Sequence, residues 1–236
     1  MPTAAVVVIG EEILSGKFAD DNGPYLIRRL RELGCDLRHI AVIGDTVDAI
    51  ADEVRRQTAA NDHVITTGGV GPTQDDRTFD GIAAAFGVGL EEQPALVALL
   101  RKWNVPASPA NLRMARPPAG ATLIPGSSYP VVRVRNVWVF PGVPRLMREK
   151  FESVSAHFAG PAVLTHRLYL SQRETEIADD LAVLQTAHPA VAIGSYPRGG
   201  EERYRVVLTL ESRDADALAA AERALTARLS PVDPAG

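Results

Sequence analysis

A single cysteine, Cys35, occurs in 236 residues, which excludes an internal disulfide and any thiolate metal cluster and fits a reducing compartment such as the cytoplasm. It reads as a small buried apolar residue. The histidines, at 39, 63, 157, 166 and 188, show no metal-ligand spacing, which argues against zinc. Basic excess is also missing. With 25 Lys and Arg against 29 Asp and Glu the formal charge is -4, whereas a non-specific nucleic-acid binder needs a concentrated cationic face. Any anionic ligand must therefore be held locally. No apolar run is long enough to span a bilayer: Ala4 to Ile9 is short, has no basic region before it and is followed by Glu11 and Glu12, so it reads as a buried first strand. Low-complexity tracts are absent, and 46% hydrophobic with 23% charged residues is the composition of an ordinary globular protein. The expectation is a soluble cytoplasmic protein with neither nucleic acid nor membrane as partner, of a length suited to one large domain and a smaller one.

What is present is an alternation of strand and helix patterns. After the first strand, Leu26, Ile27, Leu30 and Leu33 mark one face of a helix near residues 21–33. A strand near 37–43 ends at Gly44-Asp45-Thr46, where Asp45 or Thr46 suits the cap of a helix carrying Val47, Ile50, Ala51 and Val54. A third strand is expected at 63–67, a helix from Thr78 and another at 94–103; the proline-rich stretch 106–118 reads as irregular. Residues 131–140 read as two strands turning near Asn136, followed by a helix through Phe158. This is an α/β pattern, a mostly parallel sheet with helices on both faces, whose ligands bind beyond the carboxyl ends of the strands. The loops 10–16, 44–46 and 68–76 are expected to converge there. From His166 the order changes to strand, helix, strand, strand, helix, which divides the chain into a domain of residues 1–160 and a small α+β domain of residues 161–236.

The chemistry concentrates in Gly68-Gly69-Val70-Gly71-Pro72-Thr73-Gln74-Asp75-Asp76-Arg77-Thr78. Three glycines directly after a buried strand permit positive φ and let backbone N–H groups approach an anion without a Cβ in the way. Gly68, Gly69, Val70, Gly71 and Thr73 are the phosphate-binding candidates, helped by the positive end of the helix that follows. This is neither a Walker loop nor a dinucleotide fingerprint. Asp75 and Asp76 would repel a phosphate unless a cation intervenes, and a hard divalent ion held by one or two carboxylates and the ligand's own oxygens is the usual solution. Asp45 and Glu12 belong to the same sheet edge. The competing reading is that these acids form Asx turns and favour the helix start, the role expected of Asp80.

The run Gly68 to Thr78, with Gly10-Glu11-Glu12-Ile13-Leu14-Ser15-Gly16, Asn22 and Gly44-Asp45, resembles the molybdopterin-binding-like domain of the CinA family, found also in MoaB and MogA-type molybdenum cofactor proteins. Val134-Arg135-Asn136-Val137, Phe140-Pro141-Gly142-Val143-Pro144 and Gly194-Ser195-Tyr196-Pro197 extend the resemblance almost end to end, to the N-terminal domain of eukaryotic FAD synthase. The resemblance implies a three-layer MogA/MoaB-like fold and a homo-oligomer. It also implies a pyrophosphatase, metal-dependent with magnesium, manganese or cobalt, that cleaves FAD, ADP-ribose or a related dinucleotide; the alternative is a molybdopterin-binding protein without hydrolysis. On that basis Asp75 and Asp76, with Glu12, are assigned to the metal, the loop backbone to phosphate, and Asp45 to a second metal or a water. Trp103, Trp138 and Tyr196 suit either ring stacking or packing. Arg133, Arg135 and Arg198 suit either a second phosphate or solvent.

Overall fold

The structure, a computed structural model, describes residues 1–126, 129–199 and 203–234, and the chain divides into two compact units, Met1–Gly160 and Pro161–Gly236. The first opens with β1 (Thr3–Ile9), a one-turn helix α1 (Glu11–Leu14) and α2 (Asn22–Glu32). Then come β2 (Asp36–Ile43), α3 (Val47–Ala60), β3 (His63–Thr67), α4 (Thr78–Phe86), α5 (Pro94–Lys102) and α6 (Pro109–Leu112). It closes with β4 (Thr122–Ile124), the hairpin β5 (Val131–Val134) and β6 (Val137–Phe140), and α7 (Pro144–Val154).

The strands form one six-stranded sheet in the order β2-β1-β3-β6-β5-β4. β2, β1, β3 and β6 run parallel, while β5 runs antiparallel to both its neighbours, β6 and β4. β1 is buried at every position, as a central strand covered on both faces must be, and its alternate residues feed two cores. Ala4, Val6 and Val8 pack with Leu26 and Leu30 of α2 and with Met147 and Phe151 of α7. Val7 and Ile9 pack with Ile50 and Val54 of α3 and with Phe79 and Ile82 of α4. The first unit is thus a three-layer α/β/α sandwich with a mostly parallel sheet.

Several local expectations needed correction. Ile27 does not share the buried face of α2 but is 42% exposed, because Leu26, Leu30 and the partly buried Leu33 already fill the stripe that meets the sheet. The stretch 106–118 is not wholly irregular: Ser108 accepts from the Asn111 N–H at 3.2 Å, and Pro109 starts α6, since proline suits a first helical turn whose N–H needs no partner. At α3 the expected cap is present, and of its two candidates, Asp45 and Thr46, it is Thr46 that accepts from the Ala49 N–H at 3.3 Å.

The second unit holds β7 (Leu164–Leu170), α8 (Glu174–Ala187), β8 (Ala192–Pro197), β9 (Val206–Ser212) and α9 (Ala215–Arg228). Its antiparallel sheet, in the order β7-β9-β8, lays Leu170, Leu208 and Leu210 against Ile177, Leu184, Leu218 and Leu225 of the helices. Among the described residues no helix is long and apolar enough to cross a membrane.

At the start of β3, His63 accepts a hydrogen bond from Trp138 Nε1 at 3.3 Å and packs edge-on against Phe158. Burial pushes its pKa below the ordinary imidazole value, with the Asp62 carboxylate pulling the other way. The folded state therefore prefers neutral His63, and the stability this contributes is lost as pH falls from about 6.5, the unfolded value, through the lower folded one. The melting temperature is expected to fall between pH 7.5 and 5.5, and to fall less in His63→Gln; an equal fall in both would remove His63 as the cause.

Candidate functional site

β3 ends at Thr67, and the chain then turns through Gly68 and Gly69 with φ of 102° and 62°. A Cβ on Gly68 would lie 2.1 Å from the Ile9 carbonyl oxygen, and one on Gly69 would lie 2.6 Å from Thr78 Oγ1. Glycine is required at both. Thr78, fully buried at the start of α4, pins the loop: its Oγ1 donates to the Gly68 carbonyl at 2.7 Å and its N–H to the Gly69 carbonyl at 3.0 Å. With these carbonyls turned toward Thr78, the N–H groups of Gly69, Val70 and Gly71 donate to no acceptor among the described residues. Successive free N–H groups beside a helix N-terminus form a concavity suited to an anion, phosphate above all.

The acidic residues then separate. Asp76 Oδ2 accepts from the Thr73 N–H at 2.8 Å and from Thr73 Oγ1 at 2.5 Å, so Asp76 is tied to its own loop. The same carboxylate lies 2.6 Å from where a Gly71 Cβ would stand. Asp75 is exposed. Glu12 folds over Gly10, its two oxygens 2.7 Å from the position a Cβ there would take, whereas Glu11 turns toward Gly44. Asp80 pairs with Arg113 at 3.3 Å and so ties α4 to the segment after α6.

A cleft of about 700 Å³ opens at the carboxyl ends of β3 and β6. Glu12, Gly68, Gly69, Val70, Gly71 and Asp76 line its polar end. Leu100, Trp103, Met114, Tyr129, Leu146 and Lys150 line the remainder. Pro141-Gly142-Val143 also lines the cleft and packs beside the glycine loop, a Cβ on Gly142 lying 3.3 Å from Gly68 Cα; it is held by Asn22, whose Nδ2 donates to the Gly142 carbonyl at 2.7 Å and to Thr67 Oγ1 at 2.9 Å. Thr67 Oγ1 in turn donates to the Pro141 carbonyl at 3.0 Å.

The structure therefore brings Glu12, Gly68, Gly69, Val70, Gly71 and Asp76 into one cavity, with Thr73 behind Asp76, and leaves Asp45 and Asp75 outside its lining. The loop at residues 44–46 does not reach the cleft. β6 lies beside β3, so the turn after β6 takes that place. Trp138 is core, 1% exposed with the Arg133 guanidinium 5.2 Å from its ring, and Arg135 stacks on Phe86. Sequence reasoning missed Tyr129, Gly142 and Lys150. Lys150 had a signal, since it interrupts the helical stripe of Met147, Phe151 and Val154.

The donor set suits a divalent ion of the kind that shares its shell with a ligand. The Glu12 carboxylate carries no hydrogen-bond or ion-pair partner among the described residues, its backbone carbonyl alone accepting from the Phe18 N–H at 3.0 Å, and Asp76 Oδ1 accepts nothing there. No three His, Cys, Asp or Glu side chains converge among those residues, so two carboxylates plus phosphate oxygens is the set on offer, which magnesium accepts.

Residues 5–160 match the family described as a probable molybdopterin binding domain, and residues 162–233 match the middle domain of FAD synthase. The chain is similar to a probable FAD synthase of Caenorhabditis elegans, 33% identical over 256 residues, 92% of this chain and 48% of that protein. It is similar to a CinA-like protein of Frankia casuarinae, 32% identical over 240 residues, 89% of this chain and 54% of that protein. This chain spans about half the length of these two relatives. Among solved structures, the protein CinA of Thermoplasma acidophilum, described as of unknown function, aligns with a TM-score of 0.62 and 28% identity over 66% of this chain and 98% of its own.

Proposed function

From the premise that the chain belongs to the CinA-type branch of the molybdopterin-binding-domain family, we propose that it is a metal-dependent nucleotide pyrophosphatase cleaving the diphosphate of FAD, ADP-ribose or a related dinucleotide. The observation that carries this reading is the joint lining of one cavity by the loop of Gly69, Val70 and Gly71 and by two carboxylates with oxygens to spare, that of Glu12 and, through its Oδ1, that of Asp76. A site built only to hold an anion has no use for those carboxylates at the same end.

In this reading the free N–H groups of residues 69–71 and the start of α4 hold the non-bridging oxygens of one phosphate. Thr73 fixes the Asp76 carboxylate against the loop through its N–H and hydroxyl, and Gly142, held by Asn22, packs beside Gly68. Asp76 and Glu12 would hold magnesium, manganese or cobalt, with Asp75 contributing negative potential from the rim. When bound, such an ion neutralises the diphosphate and polarises its phosphoryl oxygens. Asp45 has no part, because it lies outside the lining.

The test is hydrolysis of FAD and of ADP-ribose by the purified protein with each of the three metals and with chelator. The expected result is release of AMP with FMN from FAD, and of AMP with ribose 5-phosphate from ADP-ribose, abolished by chelator. No turnover of either compound with any metal would sink the proposal. It would favour instead a module that binds a pterin phosphate without hydrolysis, the reading the family description supports, and retention of a pterin after purification from cells that make the molybdenum cofactor would then be the decisive observation.

A further inference from the structure

α7 carries one residue out of keeping with its apolar stripe. Lys150 stands among the buried Met147, Phe151 and Val154 and is itself 8% exposed. An ammonium removed from water is costly unless other groups replace its hydration, and no carboxylate among the described residues lies within ion-pair distance of it. Its Nζ donates to the Tyr129 carbonyl and, at 3.4 Å, to the Pro130 carbonyl, and stands 4.7 Å from the centre of the Tyr129 ring. An ammonium carries three donors. Two carbonyls account for two, and the residue lines the cleft, which leaves a donor for whatever enters. Burial pushes this lysine down to about 8, against the pull of Glu149.

Its surroundings define the chemistry of the entrant. The Tyr129 hydroxyl donates to the Met114 carbonyl at 2.7 Å, which fixes the ring, and the Trp103 ring lies 5.9 Å from it at an interplanar angle of 36°. Leu100 and Met114 complete an apolar and aromatic wall in the same cavity as the glycine loop. Flat apolar surface with one buried cationic donor matches a planar heterocycle with an electron-rich carbonyl edge, and such a ring stacks on aromatic side chains while its carbonyl accepts the hydrogen bond. Adenine has no carbonyl to offer.

We propose that this end of the cleft is a ring subsite for a flavin or a pterin, and that Lys150 is the specificity-determining residue that donates to its carbonyl edge. The inference rests on the pyrophosphatase reading only in naming which half of a dinucleotide lies here: the flavin half of FAD, not the adenine half. No phosphate contact is assigned to Lys150.

The test uses binding, so it does not depend on turnover. FMN is titrated into wild type, Lys150→Met and Trp103→Leu, with quenching of flavin fluorescence as the signal. A pterin monophosphate is titrated in a second arm, and inorganic pyrophosphate is measured by calorimetry as a probe of the loop alone. Lys150→Met is expected to weaken FMN, pterin or both by about 10- to 100-fold, the worth of a hydrogen bond from a charged donor, with pyrophosphate affinity within about twofold of wild type. Where hydrolysis occurs, the FAD to ADP-ribose ratio of kcat/KM falls by a similar factor, through KM. Should Lys150→Met fail to fold, Trp103→Leu, at a half-exposed position, carries the same expectation for the ring and for pyrophosphate. Unchanged FMN and pterin binding in the variants, equal loss of ring and pyrophosphate binding, or no binding of either ring compound to the wild type would each overturn the proposal. Which ring compound binds distinguishes flavin from pterin.

Discussion

Asp76→Asn is expected to lower kcat for diphosphate hydrolysis by about 10²- to 10³-fold, the range seen when one electrostatic group is removed from a site of developing charge. Asparagine has nearly the same shape, and its amide oxygen still accepts from the Thr73 N–H and hydroxyl that now bind Asp76 Oδ2 at 2.8 and 2.5 Å. The loop should therefore keep its form, and what is lost is one negative charge at the polar end of the cleft. Melting temperature should stay within a few degrees. Steady-state kinetics at saturating metal, with a melting curve on the same preparation, tests both parts. Asp75→Ala provides the contrast: this carboxylate is exposed and does not line the cavity, so its removal is expected to cost less than about tenfold, as for a screened rim charge. Activity of Asp76→Asn within threefold of wild type would dismiss the catalytic assignment.

Gly68→Ala is expected to destabilise the protein by about 3 kcal/mol or more, since a strained φ alone costs about 1–3 kcal/mol. Here two penalties add. The φ of 102° is one that side chains rarely adopt, and the added methyl would stand 2.1 Å from the Ile9 carbonyl oxygen, a backbone atom of the central strand that cannot rotate away. Gly16 separates the two contributions. It has a φ of 72° with nothing within 4 Å of an added Cβ, so Gly16→Ala should cost only the conformational part, about 1 kcal/mol. Urea denaturation of both variants gives the comparison; equal losses would mean that the approach to Ile9 contributes nothing.

What could be read from sequence was whatever is decided locally. Helix caps, the buried character of Ala4 to Ile9 and the glycine loop depend on neighbouring residues, and Thr46, Thr78 and Gly68 behave as their chemistry requires. The order of strands is not local. Nothing in residues 131–144 states that β6 will lie beside β3, so the third wall of the cleft was assigned to residues 44–46 instead of Pro141-Gly142-Val143. β4, with only three residues, Thr122–Ile124, is too short for a period-2 pattern to register. Lys150 was legible as an anomaly in a helical stripe but not as a cleft residue, because that required knowing where Tyr129 and Trp103 would lie.

The clasp made by Asn22 has a consequence for how the protein reports its own integrity. Its side chain joins Thr67, 45 positions away, and Gly142, 120 positions away, so the cleft has no precursor in any short stretch of chain and exists only once distant strands have paired. Occupancy and folding are then linked quantities: a molecule that enters the cleft draws its binding free energy from the assembled sheet, and raises the unfolding temperature of Met1–Gly160 as a whole.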